Sequence, residues 1–474
     1  MAQKRTRQRC ARLGRTSRRR FLQAGAGALT AGWGASGGSA PKPSGRQPNF
    51  LFIISDQLGL DALGAHGCGD VHTPNLDRLI RRGTTFVESH STNPVCSPAR
   101  SSLMTGRMPV ETGVISNGRP IHSSCPHVGQ WLRQAGYETV YCGKWHLPGG
   151  YPPRIDGFTV LPSGRGQGDL VDTVVSRACE AYLKSRGKDK PCLLVASFLQ
   201  PHDICFWGNH AGQRMPDGLP FEQIRQELPQ LPPNNTSRPP APRVLDRIRT
   251  EYSEGQWRYY LYIYARMVEM LDADVGRLLD AVEAAGQADN TIVIFTADHG
   301  DGRGRHMHVS KWYPYEEAVK VPMIVACPGR IAENRKDAAH LVSGVDVMST
   351  MCDYAGIHPP AHVQGRSLRP LLENRPVPWR PFVVSEHRIV GRSIRTAQYK
   401  YVRYKDDPVE QLFDMKADPW ETKNLYQDAQ YAGVVKDHRK LLAEFAAQLR
   451  PVAPTPAARP RRPPPRKQPP PKAT

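Results

Sequence analysis

Phe50-Leu51-Phe52-Ile53-Ile54, followed two residues later by Asp56, decides the architecture of this 474-residue chain. Five consecutive apolar residues describe a strand covered on both faces, and the carboxylate then stands at its exit. The pattern recurs. Thr139-Val140-Tyr141-Cys142 leads to Lys144 and His146, and Cys192-Leu193-Leu194-Val195-Ala196-Ser197-Phe198 leads to His202. Thr291-Ile292-Val293-Ile294-Phe295-Thr296 leads to Asp298 and His299, and Met323-Ile324-Val325-Ala326 is a fifth run. All five read as parallel strands. Helical patterns separate them. One starts at a Thr73 cap with Pro74 in its first turn and ends at Gly83; another runs from Val128 to Ala135. Residues 252–285 hold a long amphipathic helix whose stripe through Tyr260, Ile263, Met267, Met270, Leu271, Val275 and Leu278 reads as core. Alternation of this kind specifies an α/β fold, a large mostly parallel sheet flanked by helices. Such sheets bind ligands beyond the carboxyl ends of their strands, where these polar residues collect.

Charge divides the chain differently. The formal net charge is +20, but residues 1–20 carry nine Lys/Arg and residues 450–474 carry seven, with no acid in either. The rest is only mildly basic, which argues against a nucleic-acid partner. Ser17-Arg18-Arg19-Arg20-Phe21-Leu22-Gln23, ahead of a Gly/Ala-rich stretch to about Ala40, is similar to a twin-arginine export signal. It implies a twin-arginine translocase as partner and a periplasmic or secreted destination. The stretch is too short and glycine-rich for a stable membrane anchor. Residues 450–474 read as an extended Pro/Arg/Lys tail. Segment 208–250 reads as a long insertion over the site edge. Residues 376–449 read as a smaller C-terminal antiparallel-sheet subdomain ending in helix His438–Leu449, after a main domain over 47–375. The ten cysteines have no framework spacing and read as mostly free buried thiols.

One further stretch carries chemistry. In Asn93-Pro94-Val95-Cys96-Ser97-Pro98-Ala99-Arg100, Ser97 reads as a helix cap and Pro98 as first turn, with Gly106 as the helix end. Residue 96 then sits at the positive end of a helix dipole, a place suited to anions. This Cys-x-Pro-x-Arg pentapeptide resembles the signature of the type I sulfatases, of the alkaline-phosphatase-like superfamily. Thr73-Pro74-Asn75-Leu76-Asp77-Arg78-Leu79, Gly143-Lys144-Trp145-His146, Pro201-His202, Ala297-Asp298-His299-Gly300 and Lys311 ahead of Tyr315-Glu316-Glu317 extend the resemblance over about 48–425.

The resemblance implies a site. Cys96 is oxidised to formylglycine (3-oxoalanine) by a formylglycine-generating enzyme, and its hydrate attacks sulfur. Asp56, Asp298, His299 and modified Cys96 hold a divalent cation, Ca²⁺ first, with Mg²⁺ or Mn²⁺ as alternatives. Ser55 stands where many members carry another acid. Lys144, Lys311 and Arg100 offset the sulfate charge and hold the modified residue. His202 or Lys311 protonates the leaving alcohol, and His146 takes a proton from the second hydroxyl. His306 and His308 read either as substrate contacts or as loop residues. The expected substrate is a sulfated small molecule or glycan. Two other readings stay open: a phosphonate monoester or phosphodiester hydrolase, and a non-catalytic binder of polyanions.

Overall fold

The computed structural model describes residues 46–457, apart from 149–152, 165, 208–220, 359–361, 388–390, 406 and 455. The export-signal segment, most of the basic tail and part of the 208–250 insertion therefore lie outside the described residues. The strands are β1 (Asn49–Asp56), β2 (Gly83–Phe86), β3 (Ser89–His90), β4 (Glu138–Gly143), β5 (Thr159–Leu161), β6 (Cys192–Pro201) and β7 (Thr291–Ala297). They continue with β8 (Met323–Ala326), β9 (Arg335–Asp337), β10 (Val342–Ser343), β11 (Phe382–His387), β12 (Gly391–Thr396), β13 (Tyr399–Tyr404) and β14 (Gln411–Asp414). The helices that matter here are α1 (Pro74–Arg81), α2 (Cys96–Thr105), α3 (Val128–Gln134), α4 (Gly168–Ser185), α5 (Glu254–Ala284), α6 (Asp346–Tyr354) and α7 (Ala432–Gln448).

Eight strands form the main sheet in the order β5-β4-β6-β1-β7-β8-β2-β9. All eight residues of β1 are buried. Its side chains alternate between two cores, as strand geometry requires. Leu51 and Ile53 face the layer containing α1, α4 and α5, while Phe50, Phe52 and Ile54 face the layer containing α2, α3 and α6. The five apolar runs are five of these strands. β8, however, runs antiparallel to both β7 and β2, against the reading of that fifth run as a parallel strand; the sheet as a whole is mostly parallel, as expected. An apolar run records burial on two faces and carries no sense of direction.

Helix boundaries show a second set of differences. Gly83 does not end α1; it opens β2, where a Cβ would lie 2.2 Å from the Val325 carbonyl oxygen of β8. Thr73 makes no cap bond to α1. Asp272 of α5 does so instead, accepting the N–H groups of Leu76 at 2.7 Å and Asn75 at 3.2 Å. Ser97 is likewise no cap, because α2 begins at Cys96 and Val95 precedes it. The Ser97 hydroxyl donates to the His146 carbonyl at 2.5 Å. Gly106 does end α2, at φ 67°.

The C-terminal sheet is an antiparallel meander, β11-β12-β13-β14. The closing helix α7 starts at Ala432, ahead of the expected His438, and Val435 and Leu442 pack against Val384, Ile394 and Tyr401 of the sheet. Tyr313, Tyr315 and Ala318 pack on Val402 and Phe413. The nine described cysteines are all free. No helix among the described residues is long and apolar enough to cross a membrane.

The cap supplied in trans gives a direct test. Asp272→Ala is expected to cost about 1–3 kcal/mol of stability by leaving the first N–H groups of α1 unpaired. A urea midpoint that falls at constant slope checks it, and Thr73→Ala should move the midpoint less.

Candidate active site

Register brings the first two functional groups together. β1 and β7 are parallel neighbours with Ser55 opposite Ala297, so Asp56 and Asp298 leave adjacent strands side by side. Both are at most 1% exposed. Two buried carboxylates in contact need positive charge. Arg100, one turn into α2 from Cys96, supplies it. Its Nε donates to Asp298 at 2.7 Å and one terminal nitrogen to Asp56 at 3.0 Å. The other terminal nitrogen donates to the Lys144 carbonyl at 2.9 Å and Ser197 Oγ at 2.8 Å. Lys144, just beyond β4, places Nζ 2.6 Å from Asp56.

Cys96, the first residue of α2, reaches this centre from the opposite side. Its Sγ lies 3.2 Å from His299 Nε2 and 3.7 Å from Asp56 Oδ1. Ligand atoms of Asp56, Cys96, Asp298 and His299 all lie within 4.8 Å of one another. His299 Nδ1 is 2.9 Å from the Gly300 carbonyl. A carbonyl only accepts, so Nδ1 carries the proton and Nε2 presents its lone pair to the centre. Two carboxylates, a ring nitrogen and the residue-96 side chain form a donor set that suits a divalent cation.

The charges are interdependent. Burial raises the Asp56 carboxyl, but Lys144, His202, Arg100 and Lys311 more than offset it and hold it well below the ordinary carboxylate range. Burial and the Asp56 charge push Asp298 up to about 6. Burial and the Asp56 charge raise the Cys96 thiol, but Lys311 and Lys144 beside it help hold it well below its usual value.

The remaining expected residues divide. His202 follows β6, lies within reach of Cys96 and is lowered to about 4 by burial; its Nδ1 has no partner among the described residues. Lys311 is 5% exposed and donates to Gln57 Oε1, with Cys205 Sγ 3.9 Å away. Burial lowers Lys311, but Cys96, Cys205 and two aspartates raise it above its normal value. His146 is exposed in left-handed backbone at φ 58°, and its ring makes no hydrogen bond or ion pair among the described residues. His306 is stacked on Tyr315 and bonded to Glu317 at 3.0 Å, and His308 is stacked on Tyr313. Both are fully buried, so the loop reading fits them.

Gln57 was not expected. Its N–H donates to Asp298 Oδ1 at 3.1 Å, its Nε2 to Asp301 at 2.6 Å, and its Oε1 receives Lys311. Tyr260 donates to Asp301 at 3.0 Å, and Tyr264 donates to the Gln57 carbonyl at 2.7 Å. The adjacency Asp56-Gln57 was the only signal available, and a lone glutamine carries little.

Comparison with known proteins follows the same lines. The sulfatase family model matches residues 48–357, and the model for the C-terminal region of N-sulphoglucosamine sulphohydrolase matches residues 304–448. The chain is 33% identical over 433 residues to a Δ4,5-hexuronate-2-O-sulfatase of Bacteroides thetaiotaomicron, covering 84% of this chain and 89% of that one. It is 27% identical to an N-acetylglucosamine-6-O-sulfatase of the same species, covering 88% and 89%. The solved structure of a 2-O GAG sulfatase superposes with a TM-score of 0.73 at 28% identity, covering 87% and 98%.

Arg100 is the group whose loss should be felt most. Arg100→Ala removes the cation shared by two buried carboxylates, leaving Asp56 to Lys144 and Asp298 to backbone N–H groups, and is expected to cost about 3–5 kcal/mol of stability. A fall in melting temperature checks it; an unchanged melting temperature would count against the pairing.

Proposed function

The chain belongs to the sulfatase family, and on that premise we propose that it hydrolyses sulfate esters on glycosaminoglycan-type saccharides, using residue 96 as a formylglycine nucleophile beside one divalent cation. The observation that carries this reading is the convergence of Asp56, Cys96, Asp298 and His299 within 4.8 Å, walled by Arg100, Lys144 and Lys311. An ordinary structural cysteine is packed among apolar groups. Cys96 instead heads a helix, and its neighbours are acids, a histidine and two lysines.

Asp56, Asp298, His299 and an oxygen of modified residue 96 would hold the cation, with Ca²⁺ the first choice for a set dominated by oxygen. Bound there, it supplies Lewis acidity toward sulfate oxygens and toward the hydroxyl of the nucleophile. The chain's own groups supply the rest. Lys144 and Lys311 place positive charge where sulfate oxygens would sit. Arg100 holds the two aspartates in one geometry. Lys311 and His202, both within interaction range of Cys96, would supply the proton to the leaving alcohol. The hydrated aldehyde gives residue 96 two hydroxyls, one to attack sulfur and one whose deprotonation expels sulfate.

The saccharide assignment rests on the relatives, whose names specify sulfate on hexuronate and on N-acetylglucosamine. The same reading includes maturation by a formylglycine-generating enzyme and export of the folded chain by the twin-arginine translocase.

Mass spectrometry of the peptide holding Cys96, after co-expression with the modifying enzyme, should find an aldehyde that reacts with a hydrazine probe. Cys96→Ala should lower turnover of a sulfated saccharide on the order of 10³-fold or more. An unmodified thiol in active enzyme, or retained turnover in the variant, would sink the mechanism. Rates on paired sulfate and phosphonate esters should favour sulfate.

Elemental analysis gives an independent reading. Asp298→Ala and His299→Ala should each strip the purified protein of its bound divalent cation, and restoring that cation should not restore activity.

A further inference from the structure

A row of charges crosses the C-terminal sheet. Glu386 of β11 pairs in register with Arg392 of β12, which pairs in register with Arg403 of β13. Two arginines directly opposite on antiparallel strands repel and lower sheet stability. Glu386 offsets only the first. Its Oε1 receives Arg392 Nε at 3.1 Å, while its Oε2 is taken by the Val110 N–H at 3.1 Å. Arg403 is exposed and has no acidic partner among the described residues. The same holds for Lys405, two residues further along. Arg439 of α7, paired with Glu410 at 2.9 Å, adds a fourth cation.

These four cations line one cavity of about 510 Å³ between the sheet, α7 and residues 109–115. That volume is in the range of small-ligand sites. Its wall includes Asn93, three residues before Cys96. Asn93 is 1% exposed, and its Oδ1 has no hydrogen-bond partner among the described residues. Two exposed cations with no acidic partner among the described residues, two arginines opposed in register and a buried amide oxygen without a donor fit an anion that carries a hydroxyl donor beside it. Guanidinium forks match sulfate and carboxylate oxygens in pairs.

We propose that this cavity binds a sulfate or carboxylate on a saccharide unit next to the one whose ester is cut, so that the enzyme selects polyanionic chains over isolated esters. The identity of the saccharide rests on the sulfatase reading above; the anion rests on the cavity alone.

Binding is measured by calorimetric titration of the full chain carrying Cys96→Ala, which stops turnover. The probe is a tetrasaccharide of alternating uronate and sulfated glucosamine. Adding Arg403→Ala with Lys405→Ala should weaken binding by about 10- to 100-fold and flatten its salt dependence. Arg403→Lys should retain part of the affinity, keeping the charge without the fork, and melting temperatures should not fall, because both side chains are exposed and Arg403→Ala removes one of two opposed charges. Carboxyl-reduced and desulfated tetrasaccharides tell which anion is held: the group whose removal erases the difference between parent and double variant is the one bound. Equal affinity in parent and double variant overturns the proposal, as does a parent that binds no tetrasaccharide. Turnover by the unsubstituted enzyme is scored separately. If it cleaves no sulfate ester while the double variant still loses binding, the sulfatase reading fails and the anion site stands.

Discussion

Arg100 lies between Asp56 and Asp298, within 3.0 Å of each, and water reaches none of the three side chains. Everything around the centre follows from that pairing. Two carboxylates on neighbouring strands of a buried sheet would repel, and one would take up a proton. A guanidinium stays charged and spans both with a fixed fork. It must come from an element aimed at the strand ends, so α2 runs into the protein with all ten residues buried. The helix that brings Arg100 brings Cys96 one turn earlier, at its positive end. Charge compensation and the placement of Cys96 are therefore one structural decision.

The strands and the site residues at their ends were legible because they obey local rules. A doubly covered strand must be apolar, and a polar residue at its exit stands out against it. Asp56, Lys144, His202, Asp298 and His299 all carry that contrast. Direction carries none, so β8 was indistinguishable from a parallel strand. The strands β5 and β9 hold three residues each, too few for any period to show, and β2, Gly83-Thr84-Thr85-Phe86, carries a single large apolar side chain. Caps failed for a different reason. Thr73 and Ser97 have the right chemistry beside their helices, but Asp272, distant in sequence, takes over at α1, and Ser97 is drawn to a loop carbonyl. A cap is a local inference, and tertiary contacts override it where a better acceptor is near.

Tyr260 and Tyr264 show how a correct reading can be half of the answer. Their rings belong to the core stripe of α5, as the helical period predicts. Their hydroxyls do something that period cannot encode. They hold Asp301 and the carbonyl of Gln57, and Gln57 in turn receives Lys311. The long helix thus fixes a lysine at the candidate active site through two hydroxyls and one amide. A tyrosine in an apolar stripe satisfies both the packing and the polar demand of a buried strand end. Phenylalanine at either place would keep the stripe; at 264 it would take this donor from the Gln57 carbonyl, and at 260 it would leave Asp301 to Gln57 and the Arg303 N–H.

The smaller sheet has a comparable role that its position in sequence conceals. Glu386 of β11 donates its N–H to the Thr92 carbonyl at 2.7 Å, and the Ser385 hydroxyl donates to the Ser91 carbonyl. Ser91 Oγ donates in turn to the Asp298 carbonyl. Lys400 of β13 adds ion pairs to Glu316 at 3.2 Å and Glu421 at 2.7 Å, joining the sheet to the segment after Lys311. The chain that leads into Cys96 is therefore clamped between an edge strand of one sheet and the exit of β7 in the other. Without the C-terminal sheet, the carbonyls of Thr92 and Ser91, four and five residues before Cys96, would lose these partners, where a displacement of an ångström shifts the geometry of the candidate site. The candidate site belongs to both sheets, and the smaller one reaches it through the backbone of the segment that carries Cys96.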